Sequence, residues 1–186
     1  MAELIEFGTE RLCLRQWKHS DRESFAELNA DPKVMAYFPT RLDRAGSDQL
    51  ADRCAALIAE RGWGLWAAET RGNGNFIGYV GLHVPNVELP FSPCVEVSWR
   101  LASLYWGQGY ATEAARGALK VGFERLGLPE IVSFTTVHNG RSRAVMERLG
   151  MRKSAITFDH PAVPYESGLT QHCLYRLLRE QWHDIS

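Results

Sequence analysis

The chain has 186 residues, 45% of them hydrophobic and 23% charged, enough for one domain with a sizeable core. Its 21 basic and 22 acidic residues leave a net charge of -1, so no overall field draws it to nucleic acid or to an anionic membrane, and neither is an expected partner. No apolar run approaches the roughly 20 residues that span a bilayer, and the acidic start Met1–Glu6 lacks a signal-peptide core, so the cytoplasm is the expected location.

Cys13, Cys54, Cys94 and Cys173 lie far apart and form no Cys-x-x-Cys; reduced, mostly buried thiols are expected. The six histidines show no ligand spacing, so no metal site is expected.

Thr9 to Trp17 alternates and predicts a strand with one wet face, with Leu12, Leu14 and Gln16 on one side and Arg11, Cys13 and Arg15 on the other. Ser20-Asp21-Arg22-Glu23 has the spacing of a capping box, opening a helix with Phe25 and Leu28 that stops near Asn29–Pro32. Val34–Pro39 is an apolar loop or short helix. Ser47-Asp48 begins a second helix, with Leu50, Cys54, Leu57 and Ile58 on one face, which ends at Arg61-Gly62. Trp63–Glu69 and Asn75–Val84 read as strands of a hairpin closed by Arg71-Gly72-Asn73-Gly74. Pro85, Pro90 and Pro93 then exclude a central strand.

From Cys94 to Leu101 the pattern is again of period two: Val95, Val97, Trp99 and Leu101 alternate with Glu96, Ser98 and Arg100. Gly107 and Gly109 free the backbone ahead of a helix with Ala111, Ala115, Ala118, Leu119, Gly122 and Leu126 on one face. A strand feeding a glycine-bearing turn and a helix N-terminus is a place for a phosphate, because the first N–H groups of the helix are unpaired and carry the positive end of its dipole. Glu130–Val137 predicts a strand, Asn139 or Gly140 to Leu149 a short helix, Met151–Phe158 and His172–Leu178 two more strands. The segments at 94–101 and 130–137, joined by a helix, form a right-handed crossover and should be parallel. The expected fold is α/β (α+β): a mixed, mostly antiparallel sheet of six to seven strands with helices on both faces, in a single domain over 1–186.

These residues resemble the GNAT superfamily of acyl-CoA-dependent N-acetyltransferases, and within it the branch that holds the RimJ/RimL type ribosomal-protein acetyltransferases. The superfamily's motif, Arg or Gln, two residues, Gly, one residue, then Gly or Ala, falls on Trp106-Gly107-Gln108-Gly109-Tyr110-Ala111. Gly109 and Ala111 match; Trp106 departs, in a wording typical of that branch. Asn139-Gly140-Arg141-Ser142 before Leu149-Gly150-Met151 is similar to the family's Asn-x-x-Ser segment. The resemblance covers nearly the whole chain.

It implies acetyl-CoA as cosubstrate and an amine as acceptor, a protein N-terminus or a small molecule, with a homodimer as one possible assembly. Backbone N–H groups from Gln108 to Thr112, including Gly109, Tyr110 and Ala111 behind Gly107, would bind the pyrophosphate. The edge at Trp99 to Leu101 would pair with the pantetheine arm in the gap between two splayed parallel strands. Asn139 would help to place the thioester. The amine needs a base, and Glu96 is the candidate. An amide near Trp99 or Leu101 would serve the carbonyl oxygen. The leaving thiolate needs an acid; Met146 stands where many members have Tyr, so Ser142 is the candidate, directly or through water. Transfer is expected to be direct, since no cysteine has a nucleophile's setting.

Blander readings stand beside these. Glu96 fits the solvent face of a strand, and Ser142 and Asn139 fit helix caps. Tyr37, Phe38, Trp63 and Trp66 wall an acceptor pocket or belong to the core. Arg141 and Arg143 meet the 3′-phosphate of CoA or sit on a solvated face. A non-catalytic acyl-CoA-binding module is the alternative function, favoured by Met146. A nucleotide-binding protein is disfavoured: no Gly-Lys-Ser/Thr follows the turn, and Thr112 occupies the third glycine position of G-x-G-x-x-G. The loops at 32–46, 85–93 and 159–170 carry no code for the acceptor.

Overall fold

The computed structural model describes residues 2–185, with side chains through Trp182. Among the described residues eight strands form one sheet: β1 (Phe7–Gly8), β2 (Leu12–Arg15), β3 (Leu65–Thr70), β4 (Phe76–His83), β5 (Glu96–Leu101), β6 (Glu130–Thr136), β7 (Arg152–Asp159) and β8 (Gln171–Leu178). Their spatial order is β1-β2-β3-β4-β5-β6-β8-β7. Five helices connect or follow them: α1 (Asp21–Ala30), α2 (Arg44–Arg61), α3 (Tyr110–Lys120), α4 (Gly140–Arg148) and α5 (Arg179–Ile185). The strand beyond the expected six to seven is β1, whose two residues are too few to carry a period; α5 was also unforeseen.

Helices cover both faces. Ala114, Ala115, Ala118 and Leu119 of α3 pack with Trp66, Val80, Leu82 and Val97, all fully buried. The small alanines let α3 sit close to the sheet, and Leu119 contributes about 1.5–3 kcal/mol by leaving water. On the other face Phe25 and Leu28 of α1 and Ala51 of α2 pack with Tyr79. Val80 and Tyr79 are adjacent in β4, so their opposite orientation gives the two layers.

Two expected helix starts differ. The capping box is not made: Ser20 has φ -63° and ψ -17° and no side-chain bond to the helix. Asp21 takes over the entry, accepting from Lys18 N–H (2.8 Å) and from both Nη1 and Nη2 of Arg15 (2.8 Å each). This is why Arg15 is buried where a wet face was expected; Glu69 accepts from its Nε at 2.8 Å. α2 starts earlier than Ser47, because Asp43 accepts the Gly46 N–H (2.8 Å) and caps it. Asp21→Ala should remove one of the two carboxylates that hold the buried Arg15 guanidinium and leave Nη1 and Nη2 short of partners, with Glu69 remaining. The expected loss is about 3 kcal/mol, read as a lower urea midpoint with an unchanged slope.

β5 and β6 are parallel, the other neighbours antiparallel. The parallel pair has one register position, Glu96 opposite Val132. The Val132 N–H donates to the Val95 oxygen (2.9 Å). At the next position the Val97 oxygen is taken by the Ser133 hydroxyl (2.9 Å) instead of an N–H, and the ladder stops. The two strands part beyond it, as the family resemblance implies.

Candidate active site

The turn after β5 is a nest of unpaired donors. Gly107 and Gly109 have φ of 74° and 83°, in the left-handed region that side chains disfavour. α3 begins at Tyr110 with no side chain capping it, and the first four N–H groups of a helix have no partner within the helix. Gln108, Gly109, Tyr110, Ala111 and Thr112 therefore present amides at one place, with the positive helix end behind them.

The turn is clamped by Arg11, the residue before β2. Arg11 donates from Nη1 to the Gln108 oxygen (2.9 Å), and its guanidinium lies 4.4 Å from the centre of the Tyr110 ring. Its backbone N–H and its Nε both donate to Glu113 (2.8 and 2.7 Å), which also accepts from the Thr9 hydroxyl (2.6 Å). Burial works to raise the Glu113 pKa, but the bonds from Thr9 and Arg11 outweigh it and hold the carboxyl below its ordinary value. Such a group stabilises the fold above its unfolded pKa near 4.5, and the contribution is lost as pH falls through the depressed value. Glu113→Gln should thus cost about 1–2 kcal/mol at neutral pH, and the gap to the parent should narrow at about pH 3, as measured by denaturant unfolding at both pH values.

Trp106, the departure from the motif, has a structural task. Its Nε1–H donates to the Leu101 oxygen (2.8 Å), which ties the turn to the end of β5. Arg141 lies 4.5 Å from the centre of the Trp106 ring and brings the start of α4 against the turn. Arg143 instead donates to the Val137 oxygen (3.1 Å). Along β5 the odd-numbered residues turn their backbone groups toward β6, as Val95 and Val97 do; by the same alternation the N–H groups of Trp99 and Leu101 face the gap. The Leu101 oxygen, being taken, offers nothing there.

Across the gap, Asn139 caps α4: its Oδ1 accepts the Ser142 N–H (3.2 Å). Its Nδ2 donates to Thr135 Oγ1 and to Ser142 Oγ (3.0 Å each). The Ser142 hydroxyl is thereby used as an acceptor and keeps its proton free to donate. Met146 is 1% exposed, part of the core where it borders the cavity.

A cavity of about 1680 Å³ joins these parts: Gly107, Gly109 to Thr112, Trp99, Leu101, Asn139, Ser142 and Glu96 all line it. Glu96 is 6% exposed, not on a solvent face. Its Oε2 accepts from His83 Nε2 at 2.7 Å, across the β4–β5 register that puts the two opposite. Burial disfavours the imidazolium, but the charge and hydrogen bond of Glu96 prevail and raise the His83 pKa above its ordinary value. His83 was not legible as a site residue; it is thirteen positions from Glu96, and only strand register joins them.

His160 and His172 also line the cavity, their rings 5.0 Å apart. Burial lowers the pKa of both, and each one's other neighbours only modify that. The Thr170 oxygen faces His172 Nδ1 (2.9 Å), so that nitrogen carries the proton; the Ala162 N–H donates to His160 Nδ1 (3.2 Å), which leaves His160 its proton on Nε2. Tyr37 and Phe38 line the cavity. Trp66 does not: it is fully buried and its Nε1–H donates to the Ile5 oxygen (2.6 Å). Trp63 packs against the same core. No helix among the described residues is long and apolar enough to cross a membrane.

Residues 11–152 match the acetyltransferase (GNAT) domain family. The FsC-acetyl coenzyme A-N(2)-transacetylase of Aspergillus fumigatus is 34% identical, over 94% of this chain and 76% of that protein. An acetyltransferase (GNAT family) of Bacillus anthracis has the same fold, with a TM-score of 0.78 and 24% identity over 95% of this chain and 99% of that one. So has RimL, a ribosomal L7/L12 alpha-N-protein acetyltransferase solved with coenzyme A, with a TM-score of 0.74 and 14% identity over 95% and 99% of the two chains. The turn of free amides, the parted strands and the buried Glu96 thus stand in a chain that belongs to the GNAT family of acetyltransferases.

Proposed function

We propose that this acetyltransferase moves the acetyl group of acetyl-CoA directly to a primary amine, in the gap between β5 and β6. The observation that carries the reading is the single register position of that pair, which leaves a channel with the amide turn 107–112 at one end and Glu96 at the other. The thioester supplies an activated acyl group. The amides of Gln108 to Thr112 hold the pyrophosphate, where a side chain at Gly109 would intrude. The N–H groups of Trp99 and Leu101 pair with the pantetheine arm and polarise the carbonyl.

An amine is mostly protonated near pH 7, so its proton must leave first. Glu96 accepts it, with His83 holding the carboxylate in place and sharing the charge. As the C–N bond forms the nitrogen gives up its second proton to water, and as the C–S bond breaks Ser142 donates its hydroxyl proton to the leaving sulfur and is reprotonated from that water. Asn139 orients that hydroxyl by donating to its oxygen. A small-molecule amine is the acceptor we favour; the name of the 34% identical relative, an acetyl coenzyme A-N(2)-transacetylase, supports a nitrogen as the acceptor atom. The four unpaired thiols suit a reducing compartment, and we place the enzyme in the cytoplasm. A panel of amines with acetyl-CoA, followed by thiol release and by mass spectrometry of the products, tests the reading. Amine-dependent release with an acetylated product is expected; tight CoA binding with no turnover on any amine would leave a binding module.

A further inference from the structure

Given that transferase reading, we infer that the acceptor carries a carboxylate besides its amine, and that Arg100 binds it. Glu96, Ser98 and Arg100 occupy one face of β5, the face toward α1 and α2. Arg100 leans over Phe38, its guanidinium 4.1 Å from the ring centre, and lies 5.4 Å from that of Tyr79. Nη1 donates to Asn29 Oδ1 at 2.7 Å, a neutral acceptor. Nε is buried and has no partner. Among the described residues no carboxylate lies within 4.0 Å of the guanidinium.

A half-buried guanidinium with an orphaned N–H is an incomplete site. Desolvation has been suffered, and Nη2, which has no partner among the described residues, is left to meet a carboxylate, with Nε beside it. The surroundings add to its field. Arg53 and Lys33 line the same cavity, and neither forms an ion pair among the described residues. Burial pushes the Cys54 thiol on α2 up to about 11, and the charges that oppose this are those of Arg100 and Arg53, so both face one spot. The acidic lining group on this face is Glu96, already spoken for by His83. Glu10, Glu113 and Glu124 line the cavity from the side of α3 and the segment before β2. A cationic end thus receives an anion, while the amine reaches Glu96. Four residues of strand separate the two groups, about 13 Å of backbone, so the carboxylate lies several bonds from the amine, as in an extended amino acid or in a peptide with an acidic residue after its N-terminus.

The test is a matched pair of acceptors, each amine offered with a carboxylate and with the corresponding carboxamide, in a small-molecule arm and a peptide arm. The parent enzyme should favour the carboxylate by about tenfold to a hundredfold in kcat/KM in one arm, the size of a charge-assisted hydrogen bond, and that arm names the source. In Arg100→Gln the ratio should fall toward one. Arg100→Lys, which keeps the charge but not the fork, should retain part of it and serves if the glutamine variant folds poorly. An equal rate for carboxylate and carboxamide in both arms, or a preference that survives in Arg100→Gln, overturns the inference and leaves the transferase reading intact. Carboxylate-selective, Arg100-dependent binding by calorimetry without thiol release from any amine would uphold the inference and overturn that reading.

Discussion

Glu96→Gln should lower kcat at neutral pH by about a hundredfold or more, with the affinity for acetyl-CoA little changed. Glutamine keeps the shape of the side chain and can still accept from His83, so the buried pair is not left as a hole. What it loses is the ability to take the proton of the amine. The pH dependence gives an independent reading. In the parent, the His83 imidazolium persists above the ordinary histidine value of 6.5 because the charge and hydrogen bond of the Glu96 carboxylate oppose the cost of burial. Activity should therefore climb with pH above that value, as His83 gives up its proton. Without the charge at 96, burial dominates, and the pKa of His83 drops, so any residual activity should rise at lower pH than in the parent. Stopped-time assays across pH measure both effects. An unchanged rate with an unchanged profile would remove Glu96 as the base.

Gly109→Val should weaken acetyl-CoA binding by about a hundredfold or more, as read by calorimetry, because two penalties coincide. The backbone is at φ 83°, where a β-branched residue is strained by about 1–3 kcal/mol. A Cβ there would also come 3.3 Å from Nη2 of Arg11, the group that clamps the turn, and its branches would stand in front of the amides. Gly74→Val separates the two. It has φ 70° in the β3–β4 turn, with nothing within 4 Å of an added Cβ, so it carries the strain without the cradle. It should lower the unfolding temperature and leave CoA binding alone. Undiminished binding in Gly109→Val would sink the cradle.

Much of this site could be read from the order of residues, and the reasons it could or could not are physical. The alternation at 95–101 and the glycines at 107 and 109 are local signals, and they produced a strand, a left-handed turn and a helix where expected. Asn139 was legible for the same reason, since a cap and its helix are neighbours in the chain. Ser20 misled because a local motif competed with a distant one: Arg15, itself held by Glu69, recruits Asp21, and the buried ion pair sets the entry to α1. The polar face of β5 left two readings open. Glu96, Ser98 and Arg100 alternate as solvent-facing residues do, yet the helices and loops of that side enclose them, so the polar face lines a cavity. The pairing of His83 with Glu96 is a fact of register, which no local pattern encodes.

Amide hydrogen exchange with and without acetyl-CoA tests most directly the claim that the parted strands and the turn are the cofactor's track. The account predicts new protection at Trp99 and Leu101 in β5 and across Gln108 to Thr112, with little change in β7 at the far edge of the sheet. Saturating acetyl-CoA that leaves 99–101 and 108–112 exchanging as before, or that protects another surface instead, would contradict it.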